Sequence, residues 1–205
     1  MLINYEFHIT LKDVNKEKFL SFCRLTGLKP ILLELQNNKN IVILNDIMTS
    51  HHKLLSSDKE AFKELKTISF LLKKEGFSIV REKIEADINH PDLIDSFNIA
   101  NSSKYFETHF NILTDDTEKE KLQEIAKKSG CHFSRNIFKK VGKKYTIMIT
   151  FRKYTGNINE FKEDIHSIEE KLLKNSFKIE KTIVEYAIFD TREDWDKAWL
   201  SSTQG

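Results

Sequence analysis

The chain has 205 residues, of which 33 are Lys or Arg and 31 are Asp or Glu, for a formal charge of +2. This near balance argues against general nucleic-acid binding, and without a run of about 18 apolar residues no transmembrane helix is expected. Two cysteines without C-x-x-C spacing predict neither a disulfide scaffold nor a zinc cluster, and Met1 to Glu6 lacks the pattern of a signal peptide, so a cytoplasmic protein is expected.

Residues 3–11 alternate apolar and polar with period two, which predicts a half-buried strand. A helix follows over 15–26, with Phe19, Phe22 and Cys23 at helical spacing and Gly27 as its stop. Strands are expected at 30–35 and 41–44, joined by the turn cluster 37–40. Met48 to Lys53, with His51 and His52, reads as a loop. Ser57-Asp58-Lys59-Glu60 has the form of a capping box and opens a helix that Gly76 ends, and 77–88 is the next strand. Residues 89–103 carry Pro, Asn and Ser and read as a linker.

The order then returns. A strand is expected at 105–113, and a helix opened by Thr117-Glu118-Lys119-Glu120 and closed by Gly130. Strands at 131–139 and 144–152 join at Val141-Gly142-Lys143. A helix at 157–174 and a strand at 177–189 complete the series, and a tail with Trp195 and Trp199 four residues apart predicts a short docked helix. The offsets agree, at 101 residues from His8 to His109, 103 from Gly27 to Gly130 and 100 from Glu85 to Glu185. The expected fold is α+β, an internal duplication of two ferredoxin-like βαββαβ units with helices outside and sheets facing a shared groove or barrel. The repeats span 1–88 and 104–190, with a linker at 89–103 and a tail at 191–205.

Each expected repeat opens with a Glu-x-His pair, Glu6 and His8 in the first and Glu107 and His109 in the second. Residues two apart on a strand share a face, here the face turned away from the helices. First and last strands are neighbours in a ferredoxin-like sheet, which brings Glu85 to Glu6 and His8, and Glu185 to Glu107 and His109. Such sets suit a divalent metal such as iron, manganese, zinc or nickel as cofactor. The plainer alternative pairs each Glu with a nearby base, such as Arg81 or Lys83, on a solvated sheet. Arg81, Lys83, Arg135 and Arg152 lie on expected strands and suit a small anionic ligand such as a nucleotide or phosphate. No Gly-rich phosphate loop, G-x-S-x-G elbow or His-Glu-x-x-His occurs.

Phe7-His8-Ile9-Thr10-Leu11 resembles the strand motif of the two-histidine phosphoesterases. The resemblance implies His8 and His109 as general acid and base on a phosphodiester and Thr10 as a phosphate ligand. Asn111 stands where the second motif has Thr or Ser. Three functional readings therefore stand: a small anionic ligand, with or without a divalent metal, bound between the repeats; a phosphodiesterase acting on a nucleotide or RNA end; and a non-catalytic ligand- or partner-binding module.

Overall fold

The computed structural model describes residues 2–36, 42–93, 104–141 and 144–192. The opening alternation forms strand β1 (Ile3–Lys12). Helix α1 (Lys16–Thr26) starts at Asn15, whose side chain accepts the Lys18 N–H at 3.0 Å, and stops at Gly27, in the left-handed region at φ 73. Strands β2 (Lys29–Gln36) and β3 (Val42–Leu55), helix α2 (Asp58–Lys74) and strand β4 (Ser78–Ala86) complete the first half. The second half runs β5 (Tyr105–Thr114), α3 (Lys119–Lys128), β6 (His132–Val141), β7 (Lys144–Lys153), α4 (Ile158–Lys174) and β8 (Ile179–Asp190). The protein is thus α+β, with four helices and one eight-stranded antiparallel sheet among the described residues. None of these helices is long and apolar enough to cross a membrane.

The sheet closes on itself in the order β1-β3-β2-β6-β7-β5-β8-β4. Each half contributes four adjacent strands, and the halves meet where β4 pairs β8 and β2 pairs β6. Closure gives every strand a neighbour on both sides, although β2 meets β6 over only three residue pairs. Alternation then gives the two sheet faces different surroundings. Tyr5, Phe7, Ile9 and Leu11 belong to the core cluster, and the Tyr5 hydroxyl donates to Asp58 at the start of α2, which puts their face against the helices. In β5, Phe106 stacks on Phe161 of α4 with ring centroids 5.1 Å apart, and Phe110 and Ile112 share its face. The residues between them, Glu6, His8, Glu107 and His109, therefore point into the barrel.

Three local expectations change. His51 and His52 lie in β3, not in a loop, because β3 pairs with β1 in unbroken register from Leu55 opposite Ile3 to Ile47 opposite Leu11. The ladder to β1 supplies partners for backbone groups that a loop would have to satisfy elsewhere. Thr117 does not cap α3: its N–H and hydroxyl both bond Asp115 Oδ1, at 2.9 and 2.5 Å, and the helix starts after Glu118 without a side-chain cap. At α2, Ser57 accepts the Glu60 N–H at 3.4 Å, but Glu60 returns to the N–H and hydroxyl of Ser56, both at 2.9 Å. The 37–40 turn, the Gly142-Lys143 junction and both tryptophans lie outside the described residues.

The described start of the link after β4, residues 87–93, is held by His90, which is buried. Its Nε2 is 2.8 Å from Asp58 Oδ1, and its Nδ1 accepts the Asp92 N–H at 3.2 Å. Lys104 and Tyr186 converge on Asp92, so this cluster ties residues 90–92 to both halves.

Removing the Phe106 ring opens a cavity between β5 and α4. Phe106→Ala is expected to lower unfolding free energy in urea by about 3–5 kcal/mol. Phe70→Ala, at a position 65% exposed, is expected to shift it by less than about 0.5 kcal/mol. Equal effects would contradict the assignment of faces.

Candidate functional site in the barrel interior

Pairing between strands sets the site. Glu6 lies opposite Glu85 on one side and His52 on the other, and His8 lies between Lys83 and Ser50. In the second half Glu107 lies between Glu185 and Arg152, and His109 between Ile183 and Thr150. All six Glu and His residues expected from the sequence thus come together on the inner face.

Their contacts form one chain across the barrel. His8 Nε2 lies 3.3 Å from Glu6 Oε1 and 2.9 Å from Glu85 Oε2. The other Glu85 oxygen contacts the Lys83 ammonium. Lys83 Nζ also donates to Glu107 Oε2 at 2.7 Å, in the other half. Glu107 Oε1 lies 3.1 Å from His109 Nε2, which is 3.4 Å from Glu185 Oε2. Arg152 adds two bonds to Glu107, at 2.8 and 3.3 Å. Alongside, Arg81 makes a two-pronged pair with Asp190 at 2.9 and 2.6 Å, and the Tyr105 hydroxyl donates to the same carboxylate at 2.7 Å. Hydrogen-bonded groups of opposite charge are the form in which buried ions are tolerated.

Charge governs protonation here. Burial opposes ionisation of Glu107, but Arg152 and Lys83 prevail and hold its carboxyl well below the usual range. Burial likewise opposes the charged form of Lys83, yet Glu107 and Glu85 raise it well above the ordinary lysine value. Burial disfavours imidazolium at His109, but Glu107 and Glu185 outweigh it and push the value up to about 10. His8 is raised too, by Glu85 and Glu6 against burial. Glu185 moves the other way from Glu107: burial and the nearby Glu85 raise it. Glu6 is lowered, because His8, Ser50 and His52 outweigh burial and Glu85.

The halves differ in the groups that support the imidazoles. Thr150 Oγ1 lies 2.8 Å from His109 Nδ1. Ser50, at the corresponding position, donates to Glu6 Oε1 at 2.6 Å, and His8 Nδ1 is buried without a partner among the described residues.

The expected anion ligands fare less uniformly. Arg81, Lys83 and Arg152 are inside the barrel, but each already carries carboxylates. Thr10 is buried opposite Arg81 and Met48, and Asn111 is half-buried between Met148 and Lys181. Arg135 lies in β6 at register positions opposite Glu34 and Ile147, and its side chain lies outside the described residues. Sequence reasoning missed Ser50, Thr150, Tyr105 and Asp190. Ser50-x-His52 and Thr150-x-Arg152 carried a period-two signal for two of them. Asp190 reaches the interior through the irregular β4–β8 register, which no local pattern encodes.

No protein-family model matches the chain, and no curated protein matches it.

The raised His109 value gives a pH signature. A folded-state value above the ordinary 6.5 contributes stability that is complete below about pH 6.5 and is lost as pH rises through about 10. Urea unfolding free energy should fall over that interval in the wild type and fall less in His109→Gln. The His109 ring resonances should titrate near the upper end. An imidazole titrating near 6.5 would contradict the assigned contacts.

Proposed function

We propose that the barrel interior binds one divalent cation at Glu6, His8 and Glu85, together with a small anionic ligand on the cation's open positions. The observation that carries this reading is a charge deficit. The largely buried charged side chains described on the inner face are five carboxylates, Glu6, Glu85, Glu107, Glu185 and Asp190, and three permanent cations, Arg81, Lys83 and Arg152. Two further positive charges balance these described groups; the His109 imidazolium supplies one, and the carboxylates Glu6 and Glu85 are left to a protonated His8 or to a divalent cation.

Geometry favours the first half for the cation. Bonds of about 2.1 Å from a metal to oxygen and nitrogen place neighbouring ligand atoms about 3.0–3.4 Å apart. The His8–Glu85 and His8–Glu6 separations are 2.9 and 3.3 Å, and one atom from each of the three residues lies within 4.8 Å of the others. Two carboxylates neutralise a divalent ion, and three protein ligands leave it positions for substrate. With His109 as imidazolium the filled interior carries one net positive charge, which suits a monoanionic ligand. Bound there, the cation supplies Lewis acidity, and His109 with Glu185 is the candidate pair for proton transfer. A phosphodiester handled by the two histidines alone has less support, because each Nε2 already faces two carboxylates. Within this proposal the halves are ferredoxin-like repeats. The two buried free thiols, Cys23 and Cys131, fit a reducing, cytoplasmic setting.

Chelator-treated protein titrated with Mn2+ or Zn2+ is expected to gain thermal stability. The gain should correspond to about 2.7 kcal/mol when the free ion is 100-fold above Kd. Glu6→Ala and His8→Ala are each expected to abolish the gain. No response to any divalent cation, or a response that both variants retain, would contradict the proposal.

A further inference from the structure

We infer that Lys83 and Arg152 together fill the second half's cation position with fixed protein charges, so that the barrel takes one divalent cation and not two. This inference rests on the cation reading above and concerns why only one half is free to bind.

The two carboxylate–imidazole sets are built alike. Glu6, His8 and Glu85 in the first half correspond to Glu107, His109 and Glu185 in the second, with cross-strand pairs in the same register. The atom separations match, at 3.3 and 2.9 Å around His8 and at 3.1 and 3.4 Å around His109. In the second half the three ligand atoms that lie within 4.8 Å of one another belong to Glu85, Glu107 and His109, and Lys83 touches both of these carboxylates. The cations around them differ. Glu6 is approached by Ser50, His8 and His52, none of them a permanent cation. Glu107 is approached by Lys83 at 2.7 Å and by Arg152 at 2.8 and 3.3 Å. Two fixed positive charges thus stand where a divalent ion would supply two.

The replacement can be read position by position. Arg152 lies opposite Glu107 where His52 lies opposite Glu6. Lys83 lies opposite His8 where Ile183 lies opposite His109, and its ammonium reaches across the junction of the halves. A second divalent cation would have to displace both groups from a carboxylate that is 3% exposed. Repulsion from a lysine and an arginine a few ångströms away weakens its binding by at least roughly 100-fold. Lys83 serves the first half as well, since it touches one Glu85 oxygen and leaves the other to His8. Both are positioning residues, acting through the carboxylates they hold.

The test makes the halves alike. Lys83→Ile with Arg152→His gives each half the interior residues of the other at these positions. Bound Mn2+ per chain is measured by equilibrium dialysis and metal analysis on the full chain. The wild type is expected to hold one ion and the double variant two, with the second bound at least about 100-fold more tightly than any second ion in the wild type. Lys83→Arg with Arg152→Lys keeps both charges and is expected to hold one. The double variant is expected to need Mn2+ for full folding, seen by circular dichroism with and without the ion. Lys83→Gln with Arg152→Gln, which keeps hydrogen-bond donors, carries the same expectation of two ions. One ion in the wild type and one in both neutralised variants would overturn this inference and leave the first-half site standing. No ion in the wild type but one in a neutralised variant would support the substitution by protein cations and overturn the first-half site. No ion in any protein would overturn both.

Discussion

A lysine ammonium held between two buried glutamates joins the two halves of this protein. Lys83 leaves β4 of the first half, touches Glu85 beside it and donates to Glu107 of the second half at 2.7 Å. Either carboxylate alone in the barrel would be costly, and the ammonium alone equally so. The pairing is satisfied only when β4 and β8 meet, so the charge arrangement and closure of the sheet require each other. Arg81 with Asp190 repeats the principle along the same junction, at 2.6 Å for the shorter bond. Removing one partner of such a buried pair is costly, whereas replacing the whole pair by apolar residues is often nearly neutral; burial of the apolar face under the helices is the main favourable term.

The partition of faces was legible in the sequence because strand alternation is a local property. Tyr5, Phe7 and Ile9 against Glu6 and His8 is enough to say which side chains share a surface. The expected neighbours Glu85 and Glu185 followed from chain order, since first and last strands adjoin in both halves. What the sequence left hidden depends on closure. Local pattern does not say that Lys83 reaches Glu107 and not a solvent-facing partner, or that Asp190 sits beneath Arg81 and Tyr105. The His51-His52 segment looked like a loop because its polar residues lack an apolar partner face. In the barrel Ser50 and His52 face inward beside Glu6 and His8, while His51 faces Glu64 of α2 on the other side. His90 was equally opaque: the local pattern leaves it structural or exposed, and only the tertiary arrangement places it between Asp58 and Asp92.

The near equivalence of the two halves makes their differences informative. Ser50 and Thr150 occupy like positions, yet one supports a glutamate and the other an imidazole. Glu107 is clamped by two cations, while Glu6 keeps a hydroxyl and imidazoles. Glu185 gains proton affinity where Glu6 loses it. Under the proposed function, one half accepts an external cation and the other holds and releases a proton. The same residues in the same register yield two roles because neighbouring charges, and not the ligands themselves, differ.

The most direct measurement is a crystal structure of the protein grown with Mn2+, with anomalous scattering recorded at the manganese edge. The account predicts one interior anomalous peak, about 2.1–2.2 Å from the nearest oxygens of Glu6 and Glu85 and from His8 Nε2, with Lys83 and Arg152 still on Glu107. An interior without any such peak, or with its peak at the second half beside Lys83, would contradict it.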